Sequence, residues 1–375
     1  NEVVGVRGWV AREGFESWNM LNSIKRKEGL RLAVKSQGPF LARIDTMRRI
    51  AAANGGAIPP TLHYYGAHTG RFAGGGGINL QNFGRAGEQA ELRKALIPSP
   101  DHRFIVADLA QVEARIVAWY AGQQRMLEAF AQGRDLYSEF ASEVFGEEVR
   151  KPVGDESGGT ARRLGALRQI GKAAILGLGF NVGAKRFHEE LNKRTELRPL
   201  FDEGKLSQKI CARIVRKYRN DYPEIPAMWK GLDSAFREVR LGGRLSVQGV
   251  VIENQDHLTR VWLPSRRALR YADPRLDYTP RTIVYLDEEG EEQTFEPTEP
   301  GVIYGRDEKI YGGLLTENIV QATARDILVE AMLDLEDDGL PTLFHVHDEL
   351  ILKVPSDAAG LPLACEAEIA DRYAK

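Results

Sequence analysis

Arg168, Lys172, Leu176 and Phe180 recur every four residues in the stretch Arg168-Gln-Ile-Gly-Lys172-Ala-Ala-Ile-Leu176-Gly-Leu-Gly-Phe180. On an α-helix that spacing stacks them along one face with a slow drift. The helical rise sets Arg168 and Lys172 about 6 Å apart along the axis. A forked donor and a point charge at that separation suit one polyphosphate chain. Leu176 and Phe180 then offer apolar surface for a sugar and a base. The stretch predicts a helix that measures out a nucleotide; the plainer alternative is an amphipathic helix with a solvated basic edge. A third reading takes Ala174 to Gly183 as a buried strand entering a dinucleotide loop, which would make the chain an NAD(P)-dependent oxidoreductase built on Gly177-x-Gly179. That fingerprint needs a βαβ unit. Glu196 and Asp202 stand near the required acidic position, but no second apolar strand lies between.

With 375 residues the chain has room for two or three lobes with cores of their own. Its net charge of −2 means that any nucleic-acid contact must come from local patches. Two distant cysteines, Cys211 and Cys365, argue against a disulfide scaffold or zinc knuckle and fit a reducing compartment. No apolar run reaches membrane-spanning length and no signal peptide opens the chain, so a cytoplasmic protein without membrane contact is expected. The first residue is Asn, which suggests a fragment or processed product.

Residues 1–58 read as mostly helical and carry Lys25, Arg26, Lys27, Arg31, Lys35, Arg48 and Arg49, a surface able to follow a phosphate backbone or simply a solvated face. Pro59-Pro60 ends that helix before a short strand at Thr61–Tyr65. The run Gly74–Gly77 cannot hold a helix; it allows close approach or a slack loop, flanked by Arg71, Asn79, Gln81 and Asn82 with forked donors and acceptors for bases and sugars. Phe104–Asp108 reads as a buried strand presenting Asp108 at its end, followed by a helix through Gln111, Glu113 and Arg115. Asp135-Leu-Tyr137 opens another helix, and Lys151–Gly159 is a loop by composition. Residues 184–240 are helical and basic. Gly242-Gly243, Val247–Ile252, Arg260–Pro264 and Thr282–Leu286 read as short strands, with Asp287–Glu292 a solvated acidic hairpin tip. A striped helix runs from Glu317 to Leu335 through Gln321. Leu343–Val354 then reads as a hairpin with His347, Asp348 and Glu349 at its tip.

Taken in this order, the pieces from about residue 60 to 355 resemble family A DNA polymerases, of the DNA polymerase I type. Asp108-Leu-Ala-Gln111-Val-Glu113-Ala-Arg115 is similar to the first palm motif, Arg168 to Phe180 to the fingers helix, and Val346-His347-Asp348-Glu349 to the second palm motif. Thr69-Gly70-Arg71 with Asn79-Leu-Gln81-Asn82 resembles the primer–template segment, with one extra residue in the glycine run. Gln321 to Asp326 resembles the family's Gln-Gly-Thr-Ala-Ala-Asp helix, and Tyr311-Gly-Gly-Leu-Leu-Thr-Glu-Asn has the texture of the phage branch.

The resemblance implies an α+β right-hand fold with an antiparallel palm sheet, mostly helical fingers and a truncated thumb. Residues 1–58 would be a thumb remnant, 59–121 and 315–375 the palm, and 122–314 the fingers, with the nucleotide helix at about 161–180 and a β-rich insertion at about 241–312. It implies template-directed addition of dNTPs to a primer 3′-hydroxyl with release of pyrophosphate. An RNA polymerase or reverse transcriptase of the same fold is the related alternative. Asp108 and Asp348, supported by Glu349, would hold two Mg²⁺ ions, with Mn²⁺ as a substitute. Arg168, Lys172, Leu176, Phe180, Gln111, Glu113 and Tyr137 would bind the nucleotide, Lys172 would also donate a proton to the leaving pyrophosphate, and Glu113 would exclude ribonucleotides. Arg71, Asn79, Gln81, Asn82, Arg115, Gln321 and His347 would contact DNA. The implied partners are primer–template DNA, dNTPs and replication accessory proteins, for a monomer in the cytoplasm, at the nucleoid or in a host cell; no proofreading exonuclease is expected in this chain. Three residues depart from the family pattern: Leu176 replaces an aromatic, Tyr137 a histidine and Asn181 a glycine.

Overall fold

The computed structural model describes residues 4–5, 31–83, 92–152, 158–357 and 366–370, with side chains described from residue 40 to 357 within those ranges. Lys25, Arg26, Lys27, part of the 151–159 loop, and Cys365 lie outside them. The chain divides into two units, Asn1–Ala110 with Arg325–Lys375, and Gln111–Ala324.

In the first unit a two-residue strand β1 (Val4–Gly5) pairs with β2 (Ala57–Ile58), and helix α1 (Arg31–Ala53) precedes β2. The helix turns Ile44, Met47 and Ala51 into the core and leaves Arg48 and Arg49 exposed. After Pro59-Pro60, β3 (Leu62–His63) pairs with β4 (Ala73–Gly74). The glycine run that follows is not slack. A Cβ on Gly74 would lie 1.8 Å from Asn79 Oδ1, and one on Gly75 2.4 Å from His63 Nε2. Close approach is therefore what these glycines provide. Strand β5 (His102–Asp108) is buried on both faces, which explains its unbroken apolar run. Phe104 and Val106 face the core holding Met47, Leu92 and Leu96; Ile105 and Ala107 face the other side.

The second unit opens with helices α2 (Val112–Ala121), α3 (Gln124–Ala131) and α4 (Leu136–Phe145). Helix α2 packs on α3, placing it in this unit rather than with β5. Helix α5 (Gly159–Gly177) continues into a 3-10 turn over Leu178–Phe180. Residues 174–177 are thus helical, which overturns the reading of a strand entering a dinucleotide loop. Asn181 closes the turn at φ 62°, a left-handed conformation that asparagine tolerates. Helices α6 (Ala184–Asn192), α7 (Arg198–Asp202), α8 (Gln208–Asp221) and α9 (Glu224–Val239) follow.

Next comes an antiparallel meander of β6 (Gly243–Val247), β7 (Val250–Gln255), β8 (Leu258–Trp262) and β9 (Ala268–Ala272). Residues 247–252 are not one strand. Gln248 and Gly249 take φ values of 47° and 80° and make a tight hairpin between β6 and β7. Short strands β10 (Arg275–Asp277), β11 (Ile283–Leu286), β12 (Glu292–Phe295), β13 (Gly301–Tyr304) and β14 (Glu308–Ile310) complete the β-rich part. The acidic tip between β11 and β12 is more than a solvated turn. Glu288 pairs with Arg216 at 2.7 Å, Glu289 with Lys209 at 2.5 Å, and Glu292 of β12 with Lys185 at 2.7 Å, so basic residues of α6 and α8 hold the hairpin.

Helix α10 (Gly312–Asp337) begins in the second unit and ends in the first. Strands β15 (Thr342–Val346), β16 (Glu349–Pro355) and β17 (Glu366–Ala370) then complete an antiparallel sheet in the order β15-β16-β5-β17. Leu328, Ala331, Met332 and Leu335, one helical stripe, cover the Ala107–Leu350 side of this sheet.

Candidate active site

Each unit carries part of the set expected from sequence. In the first, β5 ends at Asp108 and the β15–β16 hairpin turns at His347 and Asp348. His347 adopts φ 54°, which permits the tight reversal. The Leu109 amide donates to the Asp348 carbonyl at 3.1 Å, and Glu349 lies directly across from Asp108 in the ladder. Asp108 and Asp348 thus stand side by side at one end of the sheet.

Glu349 has a different surrounding. Its side chain is completely buried, and Arg93, itself 1% exposed, donates to its two carboxylate oxygens from Nη2 at 2.9 and 3.0 Å. This carboxylate is held by a buried cation, which sequence reasoning missed. The sequence carried little signal for it, since Arg93 stands beside a second cation in Leu92-Arg93-Lys94-Ala95-Leu96.

Around the same unit, Asn79 Oδ1 accepts from the Gln81 amide at 3.0 Å and caps the 3-10 turn Leu80–Asn82. Arg71 and Gln81 are half-buried and Asn82 is exposed. Arg325 donates to the Gly70 carbonyl at 3.1 Å and lies over the rings of Tyr64 and Phe72, fixing the loop that carries Arg71. His345 packs edge-on against Phe72 with centroids 4.6 Å apart. Burial, with help from positive Arg325 and Arg71, depresses its pKa to about 4.

In the second unit, Gln111 precedes α2 in a left-handed conformation, φ 56°. Glu113 is half-buried in the first turn; Arg115 is exposed with its guanidinium 4.7 Å from the Phe130 centroid. On α5 and its terminal turn, Arg168, Lys172, Leu176 and Phe180 are all partly exposed, while Leu167, Ile170, Gly171, Ala174 and Ile175 are buried. The four-residue spacing therefore forms one accessible face. Trp229 Nε1 donates to the Gly179 carbonyl at 2.8 Å, and a Cβ on Gly313 would lie 2.7 Å from the Phe180 carbonyl, so α9 and the start of α10 fix the end of this helix. Tyr137 is only 4% exposed and lies beneath the Arg168 guanidinium. Gln321 is half-buried and donates to Glu317 at 3.2 Å within α10.

Among the described residues no group of three or more His, Cys, Asp or Glu could hold a metal ion. Two adjacent aspartates nonetheless fit Mg²⁺, which commonly takes one or two protein carboxylates and completes its shell with water and substrate phosphates. No helix among the described residues is long and apolar enough to cross a membrane.

The sequence model of DNA polymerase family A matches residues 35–244. The chain is 33% identical over 305 residues to the DNA polymerase of Bacillus phage SP02, covering 76% of this chain and 43% of that protein. It is likewise 33% identical over 286 residues to DNA polymerase I of Lactococcus lactis, covering 74% of this chain and 25% of that protein. The chain thus spans less than half the length of these relatives. Among solved structures, the POL domain of Pol1 from M. smegmatis, in complex with DNA primer-template and dNTP, matches with a TM-score of 0.59 at 20% identity. That match covers 91% of this chain and 52% of the other, and at such identity it is a likeness of fold. The extent of the family match, over more than half of the chain, identifies it as a member of DNA polymerase family A.

Proposed function

We propose that this chain is a template-directed DNA polymerase that adds dNTPs to a primer 3′-hydroxyl and releases pyrophosphate. The observation that carries the reading is the adjacency of Asp108 and Asp348 at the end of the β5–β16 sheet. Phosphoryl transfer asks the protein chiefly for positioning and charge stabilisation. Asp108 and Asp348 would hold Mg²⁺, which would supply activation of the attacking hydroxyl and charge stabilisation on the leaving oxygen. Glu349, held by Arg93, acts as an anchor for the turn rather than as a further ligand.

Arg168 and Lys172 bind the triphosphate from one helix face, and Lys172 gives a proton to the departing pyrophosphate. Phe180 offers its ring to the template base and Leu176 an apolar wall to the sugar. Glu113 and Gln111 border the sugar, with Glu113 set against a ribose 2′-hydroxyl. Arg71, Asn79, Gln81, Asn82, Arg115, Gln321 and His347 contact primer and template, mostly through donors that position the backbone. In this reading the chain works with DNA in a cytoplasm, with replication accessory proteins as further partners.

Primer extension on a DNA template with Mg²⁺ tests the reading. Wild type should extend with dNTPs and not with rNTPs, and Asp348→Asn should be slower by roughly 100-fold or more. Extension by Asp348→Asn at the wild-type rate overturns it.

A further inference from the structure

Arg168 is tied to the start of helix α4. Its Nε donates to Asp135 Oδ2 at 2.7 Å and its Nη2 to Oδ1 at 3.2 Å, a fork joining residues 33 apart in sequence. The Tyr137 ring centroid lies 5.3 Å from its Cζ. Asp135 is itself fixed as the N-cap of α4: Oδ1 accepts from the Ser138 amide at 3.4 Å, and Oδ2 from the Ser138 hydroxyl at 2.7 Å. Helix α4 comes this near because Gly171 has no side chain; a Cβ there would lie 2.1 Å from the Tyr137 carbonyl oxygen. Burial works against an ionised Asp135, yet the bonds from Arg168 and Ser138 hold its carboxyl below the usual carboxylate range.

The fork occupies the Nε edge of the guanidinium. A guanidinium has five N–H donors in a rigid plane, so fixing one edge fixes the direction of the other. Nη1 takes no part in the fork, and the Arg168 side chain keeps 19% of its surface exposed. A carboxylate beside a polyphosphate site weakens anion binding unless it serves another purpose there.

We propose that Asp135 is a positioning residue for nucleotide binding: it sets the plane of Arg168 so that the outer edge of the guanidinium meets the triphosphate. This rests on the polymerase reading, in which Arg168 holds that triphosphate. Tyr137 completes the seat by supporting the guanidinium face, a use for the ring that replaces the family's histidine.

Asp135→Asn separates the two jobs of the residue. Asparagine caps a helix as well as aspartate does but cannot give the charged fork. In primer extension with the full chain, this substitution should raise the dNTP KM about tenfold, the effect of losing a charge-assisted hydrogen bond. The primer–template Kd should stay at its wild-type value. In an Arg168→Ala background the same substitution should leave KM unchanged, which a merely structural role would not produce. A wild-type KM in Asp135→Asn overturns the proposal, as does a lowered one, which would make Asp135 a competitor of the phosphate. An increase that persists undiminished without Arg168 also overturns it. Wild-type extension tests the polymerase reading and the comparison of variants tests the positioning role, so the two fail separately.

Discussion

Arg93→Met asks the most direct question about the carboxylate end of the β5–β16 sheet. Arg93 and Glu349 are 1% and 0% exposed, and the arginine reaches both carboxylate oxygens within 3.0 Å. Methionine keeps much of the side-chain length and removes the cation. Breaking a buried pair from one side costs about 3–5 kcal/mol, because a carboxylate is left in a site that water does not reach. Against a total stability of about 5–15 kcal/mol this is a large fraction. With a urea m value of about 3 kcal/mol/M, the unfolding midpoint should fall by roughly 1 M or more. Replacing both partners, Arg93→Met with Glu349→Leu, should recover most of the loss, since apolar residues of similar volume satisfy such a site about as well. Because Glu349 adjoins Asp348 and faces Asp108 across the ladder, extension should fall along with stability in Arg93→Met. If Glu349 were instead a metal carboxylate, Arg93→Met would leave the midpoint in place and Glu349→Gln alone would abolish extension in a fully stable protein. A midpoint for Arg93→Met within about 0.2 M of wild type, which is a change of well under 1 kcal/mol, would refute the anchoring argument.

Two further outcomes follow from single side chains. Leu176 is partly exposed on the open face of α5, and under the proposed function Leu176→Tyr should increase the use of dideoxynucleotides by supplying a ring and hydroxyl against the sugar; the ratio of dideoxy to deoxy incorporation measures this, and an unchanged ratio would sink it. His345 is kept neutral by burial, with a pKa of about 4, whereas an unfolded histidine titrates near 6.5. Between those values the unfolded chain binds a proton that the folded chain refuses, so stability is full above pH 6.5 and declines as pH falls toward 4, by on the order of 3 kcal/mol in all. His345→Gln should flatten that decline, and urea midpoints at pH 7.5 and pH 4.5 would show an identical slope if the reasoning were wrong.

Local spacing carried much of the site. The interval of four from Arg168 to Phe180 is a helical property, and the helix displays those residues on its open face. The apolar run before Asp108 and the reversal at His347-Asp348 likewise depend on neighbouring residues alone. Partners that meet only in three dimensions were not legible. Glu349 reads as a supporting metal carboxylate at a hairpin tip, and its cation lies 256 residues away. The acidic tip at Glu288 and Glu289 is solvated as read, but its pairs with Arg216 and Lys209 of α8 have no local signal. The Gly74–Gly77 run left close approach and a slack loop both open because glycine has no pattern of its own; what it makes room for, Asn79 and His63, becomes visible only when the loop is closed.

These hidden partners also explain how three carboxylates can share one end of a sheet. Asp108, Asp348 and Glu349 follow one another across the β5–β16 ladder and its turn. Three negative charges this near one another repel, and the buried one is costly without a cation. Arg93 resolves the conflict from inside the protein. By donating from one nitrogen to both oxygens of Glu349, it pairs the buried acid with a cation. A comparable pairing with the signs reversed occurs on α5, where Asp135 holds Arg168. In both places a partner distant in sequence decides the orientation of a charge that the local motif only announces.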